Sequence, residues 1–169
     1  SSSLKSIVLD TQASGDTIRL TTTNNSTVGN HYLYQSFSNT AYTFQSGDYI
    51  EYDVKINDYS SGVGGIDIFT TDGLNFRDTQ VPDQSGISIH PSADISSFAY
   101  QKWYHRKILV PASRVGKVSS KWITASENDT PDFVSIVYYD NIVVTDGNGT
   151  VKKVVYRSSA DANINTTEL

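Results

Sequence analysis

The run Tyr49-Ile50-Glu51-Tyr52-Asp53-Val54-Lys55-Ile56 alternates without a break, and this constrains the fold more than any other feature of the chain. Ile50, Tyr52, Val54 and Ile56 share one face, and Tyr49, Glu51, Asp53 and Lys55 share the other. A period of two is the period of a strand, in which successive side chains point to opposite sides of a sheet. Thr17 to Thr23 reads the same way, with Ile18 and Leu20 inward. Gly65 to Thr71 followed by Leu74 to Asp78 reads as a hairpin closed at Asp72-Gly73, so strand pairing is expected to be mostly local.

Turn signals recur along the chain, among them Ser14-Gly15-Asp16, Ser46-Gly47-Asp48, Ser61-Gly62, Asp83 to Gly86, Gly116 and Asp146 to Gly149, with short runs of Val, Ile, Thr and Tyr between them. That spacing predicts an all-β fold, a sandwich or barrel of antiparallel strands. Two segments resist the strand reading. Asp94 to Tyr100 is expected to form a short helical turn capped by Asp94. Val115, Val118, Trp122 and Ile123 are spaced as on a helix, but Gly116, Ser119, Ser120 and Thr124 are poor helix formers, and a strand is expected there.

Length and charge bound the rest. A chain of 169 residues can bury one real core and removes roughly 70% of its unfolded surface from water. It is read as a single domain over residues 1–157, with 158–169 as a frayed tail or the start of a connector. No stretch approaches the roughly 20 apolar residues of a membrane span, and Ser1 to Lys5 has no signal-peptide core, so a soluble, processed, monomeric unit is expected. The 13 Lys and Arg against 18 Asp and Glu give a net charge of -5, which argues against a nucleic-acid partner. With no cysteine, disulfide scaffolds and cysteine-ligated zinc are excluded.

The candidate site is a collection of charged and amide side chains between Arg77 and Arg106: Arg77, Asp78, Asp83, Gln84, His90 and His105. Converging donors and acceptors beside a flat aromatic ring are what a saccharide requires, and Trp103, with Trp122 or Tyr100, is the expected stacking surface. For several of these residues a plainer structural role stands beside the functional one. Trp103 packs under a loop or faces a ligand; Arg77-Asp78 is an internal ion pair or a clamp for hydroxyls; His90, before Pro91, is an ordinary loop residue or a contact. On the strand Trp103 to Val110, a buried Ile108 face takes Arg106 inside, where it needs a carboxylate such as Asp78, Asp83 or Glu127. Asp140 interrupts an apolar strand, Phe133 to Val144, and is read either as a structural calcium ligand with Asp10 or a loop carbonyl, or as an acceptor for a neighbouring turn. The basic residues Lys102, Arg106, Lys107, Arg114, Lys117 and Lys121 form a solvated strand edge or a surface for an acidic glycan.

In order, Gly47 to Val54, Phe76-Arg77-Asp78, Asp83 to Gly86, His90-Pro91, Trp103 to Ile108 and Tyr138 to Ile142 together resemble the galactose-binding-like, jelly-roll carbohydrate-binding modules attached to secreted bacterial glycoside hydrolases. The resemblance runs from about Ser46 to Val144. It implies two facing antiparallel sheets, a structural calcium near Asp140, an extracellular location, and a non-catalytic role in which a polysaccharide and the catalytic domain of a parent enzyme are the partners. The rivals are a jelly-roll polysaccharide lyase or glycosidase, with Tyr104, His105 and Arg106 as its chemistry, and a purely structural or adhesive domain. Against the enzyme stands the alternation of a strand, which sends Tyr104 and His105 to opposite faces.

Overall fold

A computed structural model describes residues 3–12, 15–24, 31–38, 40–58, 64–157 and 167–168. The chain forms strands β1 (Ser3–Gln12), β2 (Gly15–Asn24), β3 (His31–Ser36), β4 (Tyr49–Asp58), β5 (Gly64–Thr70), β6 (Trp103–Leu109), β7 (Ser119–Asn128), β8 (Phe133–Thr145), β9 (Val151–Tyr156) and β10 (Thr167–Glu168). A helical turn, α1 (Ala93–Ser97), and two 3-10 turns, Arg77–Thr79 and Ala112–Arg114, interrupt them. The larger sheet runs β1-β2-β8-β4-β6-β10, with β9 beside the far half of β8, and the smaller one runs β3-β7-β5. Pairing is antiparallel throughout except for the contact of β10 with β6 at Tyr104 and His105. No helix among the described residues is long and apolar enough to cross a membrane.

The two sheets share one core. Ile50, Tyr52, Val54 and Ile56 of β4 are all fully buried, as their alternation dictates, and so are Ile18 and Leu20 of β2. They pack with Ile66 and Ile68 of β5 and Trp122 of β7 across the sandwich, and Tyr139 of β8 spans it by donating to the Ala125 carbonyl at 2.6 Å. Burial at about 25 cal/mol per Å2 of apolar surface is what drives this closure.

Pairing is not local, contrary to the reading of the sequence. From β2 to β8 each successive strand changes sheet, and among the described residues only β1–β2 and β8–β9 join consecutive strands. The hairpin expected at Asp72-Gly73 stops after a single bridge between Phe69 and Asn75. Its second arm is lost because Phe76 turns into the core and Arg77–Thr79 coils. The segment around Trp122 is the strand expected of it. The helical turn forms too, but Asp94 lies inside it rather than at its cap and turns to the core.

Candidate functional site

The charged cluster between Arg77 and Arg106 divides into three groups with different surroundings. The first is internal. Arg106 is 0% exposed and its guanidinium spends every donor. Nε reaches Asp83 Oδ2 at 3.0 Å; Nη1 reaches Asp94 Oδ1 at 3.0 Å and the Tyr52 hydroxyl at 2.9 Å; Nη2 reaches the carbonyls of Ile87 at 2.9 Å and Ser88 at 2.7 Å. Of the carboxylates expected for Arg106, Asp83 is the partner present, and Asp94 is an unexpected second. Asp83 also accepts from the backbone of Ser85 and Ile87, at 2.8 and 2.9 Å, which closes the 83–87 turn. It has no oxygen to offer a ligand. Burial pushes the Asp94 carboxyl up to about 7, against the pull of Arg106 and Tyr52.

The second group lies on the outer face of the larger sheet. His105 sits between Asp53, at 2.6 Å from Nδ1, and Glu51, at 2.7 Å from Nε2. Burial disfavours its charge, but the two carboxylates outweigh this and hold the imidazolium up to about 10. Gln84 accepts from the Lys107 amide and donates to the His105 carbonyl, both at 2.7 Å, and so continues the sheet beyond β6 as a strand would. Asp140 is buried at the register position of Asp53, and its Oδ1 accepts from the Asn141 amide at 2.8 Å. The side chain of Asp10 lies outside the described residues.

The indoles are not stacking platforms. Trp122 is 1% exposed and stands in the core beside Phe44, because the alternation of β7 turns it inward. Trp103 does lie on the outward face of β6, as the alternation of that strand requires, yet it is only 8% exposed. Tyr138 of β8, with ring centroids 6.4 Å apart, covers it. Nor do the basic residues form one edge. Arg106 and Arg114 are buried, Lys117 pairs with Asp72 at 2.9 Å, Lys107 donates to the Gly147 carbonyl, and Lys102 and Lys121 lie over the rings of Tyr104 and Phe69.

The third group makes a cleft of about 280 Å3 on the outer face of the smaller sheet, just under the usual range for ligand sites. Its floor is Asp67 of β5 with Ile123, Ala125 and Glu127 of β7, all on one face because Asp67 pairs with Ile123 in the register. Tyr34 of β3, 52% exposed, forms one side. Arg77 and the His90-Pro91 turn form the others. The turn lies directly on the sheet: Gly64 donates to the Pro91 carbonyl at 3.3 Å, and a β-carbon on Gly65 would come within 3.0 Å of Pro91 Cα. His90 is held by Ser92, whose hydroxyl is 2.8 Å from Nδ1. Asp78, by contrast, is exposed and occupied with Asn75, which donates to it at 2.8 Å.

Within the cleft the polar groups sense one another. Asp67 is 2% exposed, and burial raises its carboxyl against the hydrogen bonds of the Ile68 and Arg77 amides and the Arg77 charge. The Tyr34 hydroxyl is raised by burial and by the charge of Glu127. Beyond Glu127, Asp129 is pushed up to about 6 by burial and by the hydrogen bond and charge of Glu127. Arg77 and His90 are thus two sequence candidates that meet in this cleft, beside Tyr34, Asp67 and Glu127, which the sequence did not single out for it; Gln84 and His105 meet instead in a second cavity of about 370 Å3, with Glu51, Lys107 and the 147–149 turn. A signal existed for Asp67, a carboxylate between Ile66 and Ile68 and hence on the opposite face from the core. No protein-family model matches this sequence, and a comparison with curated proteins found no match.

Proposed function

We propose that the protein is a non-catalytic carbohydrate-binding module of the jelly-roll, galactose-binding-like kind, anchoring a secreted glycoside hydrolase to polysaccharide through the cleft on the smaller sheet. The observation that carries the reading is the half-exposed ring of Tyr34 beside a buried carboxylate and a guanidinium, Asp67 and Arg77, on a rigid strand platform. A sugar offers a C–H face to the first and hydroxyls to the others. Binding rather than turnover is favoured by the spacing of the carboxylates. Glu127 lies four residues beyond Ile123, the register partner of Asp67, which places the two acids roughly 13 Å apart along the strand direction. Glycosidase pairs stand about 5–9.5 Å apart.

The calcium implied by the family resemblance belongs to the same proposal, with Asp140 and Asp10 as its ligands. Its support is the pair of buried carboxyls at facing positions of β4 and β8, Asp53 and Asp140; its competitor is the His105 imidazolium, which already balances Asp53. No binding step is routed through the ion.

Retention on insoluble polysaccharides tests the reading, with chelator in a parallel arm to show whether calcium matters. Tyr34→Ala should weaken retention at least about tenfold, the loss of one stacking ring, with the melting temperature nearly unchanged. Equal retention of Tyr34→Ala, or release of reducing ends by the pure protein, overturns it.

A further inference from the structure

The two carboxylate oxygens of Asp67, on the floor of the cleft, have different situations. Oδ1 accepts from the amides of Ile68 at 2.8 Å and Arg77 at 3.1 Å. Oδ2 is buried and has no hydrogen-bond partner. The nearest cation, Arg77 Nη1, stands 3.5 Å away, beyond good hydrogen-bonding distance; the guanidinium is 43% exposed, and its Nε lies 3.7 Å from Asp78 Oδ1. A desolvated carboxylate oxygen left without a donor is costly, and the cost is relieved by a donor that reaches that atom.

Resting on the saccharide reading, we propose that Asp67 Oδ2 and the Arg77 fork together select a vicinal diol of a neutral glycan and reject uronic acids. One hydroxyl donates to Oδ2 and its neighbour accepts from Arg77, a match between one acceptor and one planar donor set that adjacent sugar hydroxyls satisfy. A sugar carboxylate would compete for the same guanidinium while facing Asp67, and Glu127 adds a second acid to the floor. Like charges brought together in a partly dry cleft repel more strongly than in water. The charge balance of the cleft is therefore set against anionic glycans.

The test uses the whole chain and three neutral polymers, a β-glucan, a galactan and a mannan, beside polygalacturonate. The wild type should be retained on at least one neutral polymer and not on polygalacturonate. Asp67→Asn keeps an oxygen for the Ile68 and Arg77 amides but turns Oδ2 into a donor; retention on the neutral polymer should fall at least tenfold. Arg77→Lys, at an exposed side chain, keeps the charge and removes the fork, and should cost a similar factor with an unchanged melting temperature, so the idea stays testable if Asp67→Asn folds poorly. Retention of either folded variant within twofold of wild type, or a wild type held as firmly by polygalacturonate, overturns the proposed selectivity while leaving a saccharide site in place. Loss of binding in Tyr34→Ala separates the two: if Tyr34→Ala is also without effect, or if no polymer retains the wild type, the saccharide reading itself fails.

Discussion

Replacing Arg106 by Met is the most demanding test of how this fold is held. The substitution removes all five donors from a site where arginine and both of its carboxyl partners are fully buried. It leaves Asp83, Asp94, the Tyr52 hydroxyl and two carbonyls facing a thioether. Removing one partner of a buried ion pair costs about 3–5 kcal/mol. For a chain of this size each kcal/mol lowers the melting temperature by about 2–4 °C, so a fall of roughly 6–20 °C is expected. The cost should depend on pH. One guanidinium faces two carboxyls, and burial holds Asp94 up to about 7, above its ordinary value of 3.8. A raised carboxyl contributes stability that is fully present below about pH 4 and is lost as pH rises through 7. Without Arg106 chiefly the Tyr52 hydroxyl still opposes that burial, so the penalty of Arg106→Met should be larger at pH 8 than at pH 5. Urea denaturation at both pH values measures it. A cost under about 1 kcal/mol, or one that is the same at the two pH values, refutes the view that this arginine neutralises the buried acids.

Two further outcomes follow from the larger sheet. Trp103→Ala should lower stability by about 3 kcal/mol, the usual cost of truncating a buried aromatic, while leaving polysaccharide retention intact; denaturation and pull-down on the same sample check both halves. His105, held up to about 10 against an ordinary 6.5, contributes stability that is complete below pH 6.5 and lost as pH rises through 10. Melting temperatures measured from pH 6 to 10 should fall in the wild type and fall less in His105→Gln.

What the sequence disclosed was the facing of each strand. Alternation placed Ile50, Tyr52, Val54 and Ile56 inside, turned Arg106 inward and demanded a carboxylate for it, all from spacing alone. Partners across the sheets were not legible, because a period of two says which side a residue takes and nothing about which strand lies next to it. Trp103 shows the consequence. Its outward direction was readable, but its cover is Tyr138, on a strand that begins thirty residues further on and reaches β6 only across β4. The cleft was half legible for the same reason. Arg77 and His90 belong to one polar segment, whereas Tyr34, Asp67 and Glu127 come from three strands that meet only through the register of the smaller sheet.

The clustering of charge between Arg77 and Arg106 has a structural cause that leads back to function. Arg106 grips the segment from inside at Asp83, Ile87, Ser88 and Asp94, points spread through the loop that crosses from β5 of the smaller sheet to β6 of the larger. Just before the last of these grips, the loop lays His90-Pro91 against Gly65, where a β-carbon would press on Pro91 at 3.0 Å. At the other end, the Arg77 amide is fixed on Asp67 Oδ1. The walls of the cleft are thus set by a buried ion network on one side and by the floor of the cleft itself on the other. Orientation of a site by rigid support is what allows a shallow cleft to discriminate among similar ligands. It follows that Arg106, which touches no ligand, governs the position of His90-Pro91. Loosening that grip should cost saccharide retention at temperatures where the sandwich is still folded, whereas Trp103→Ala, which loosens the opposite face of the larger sheet, should not.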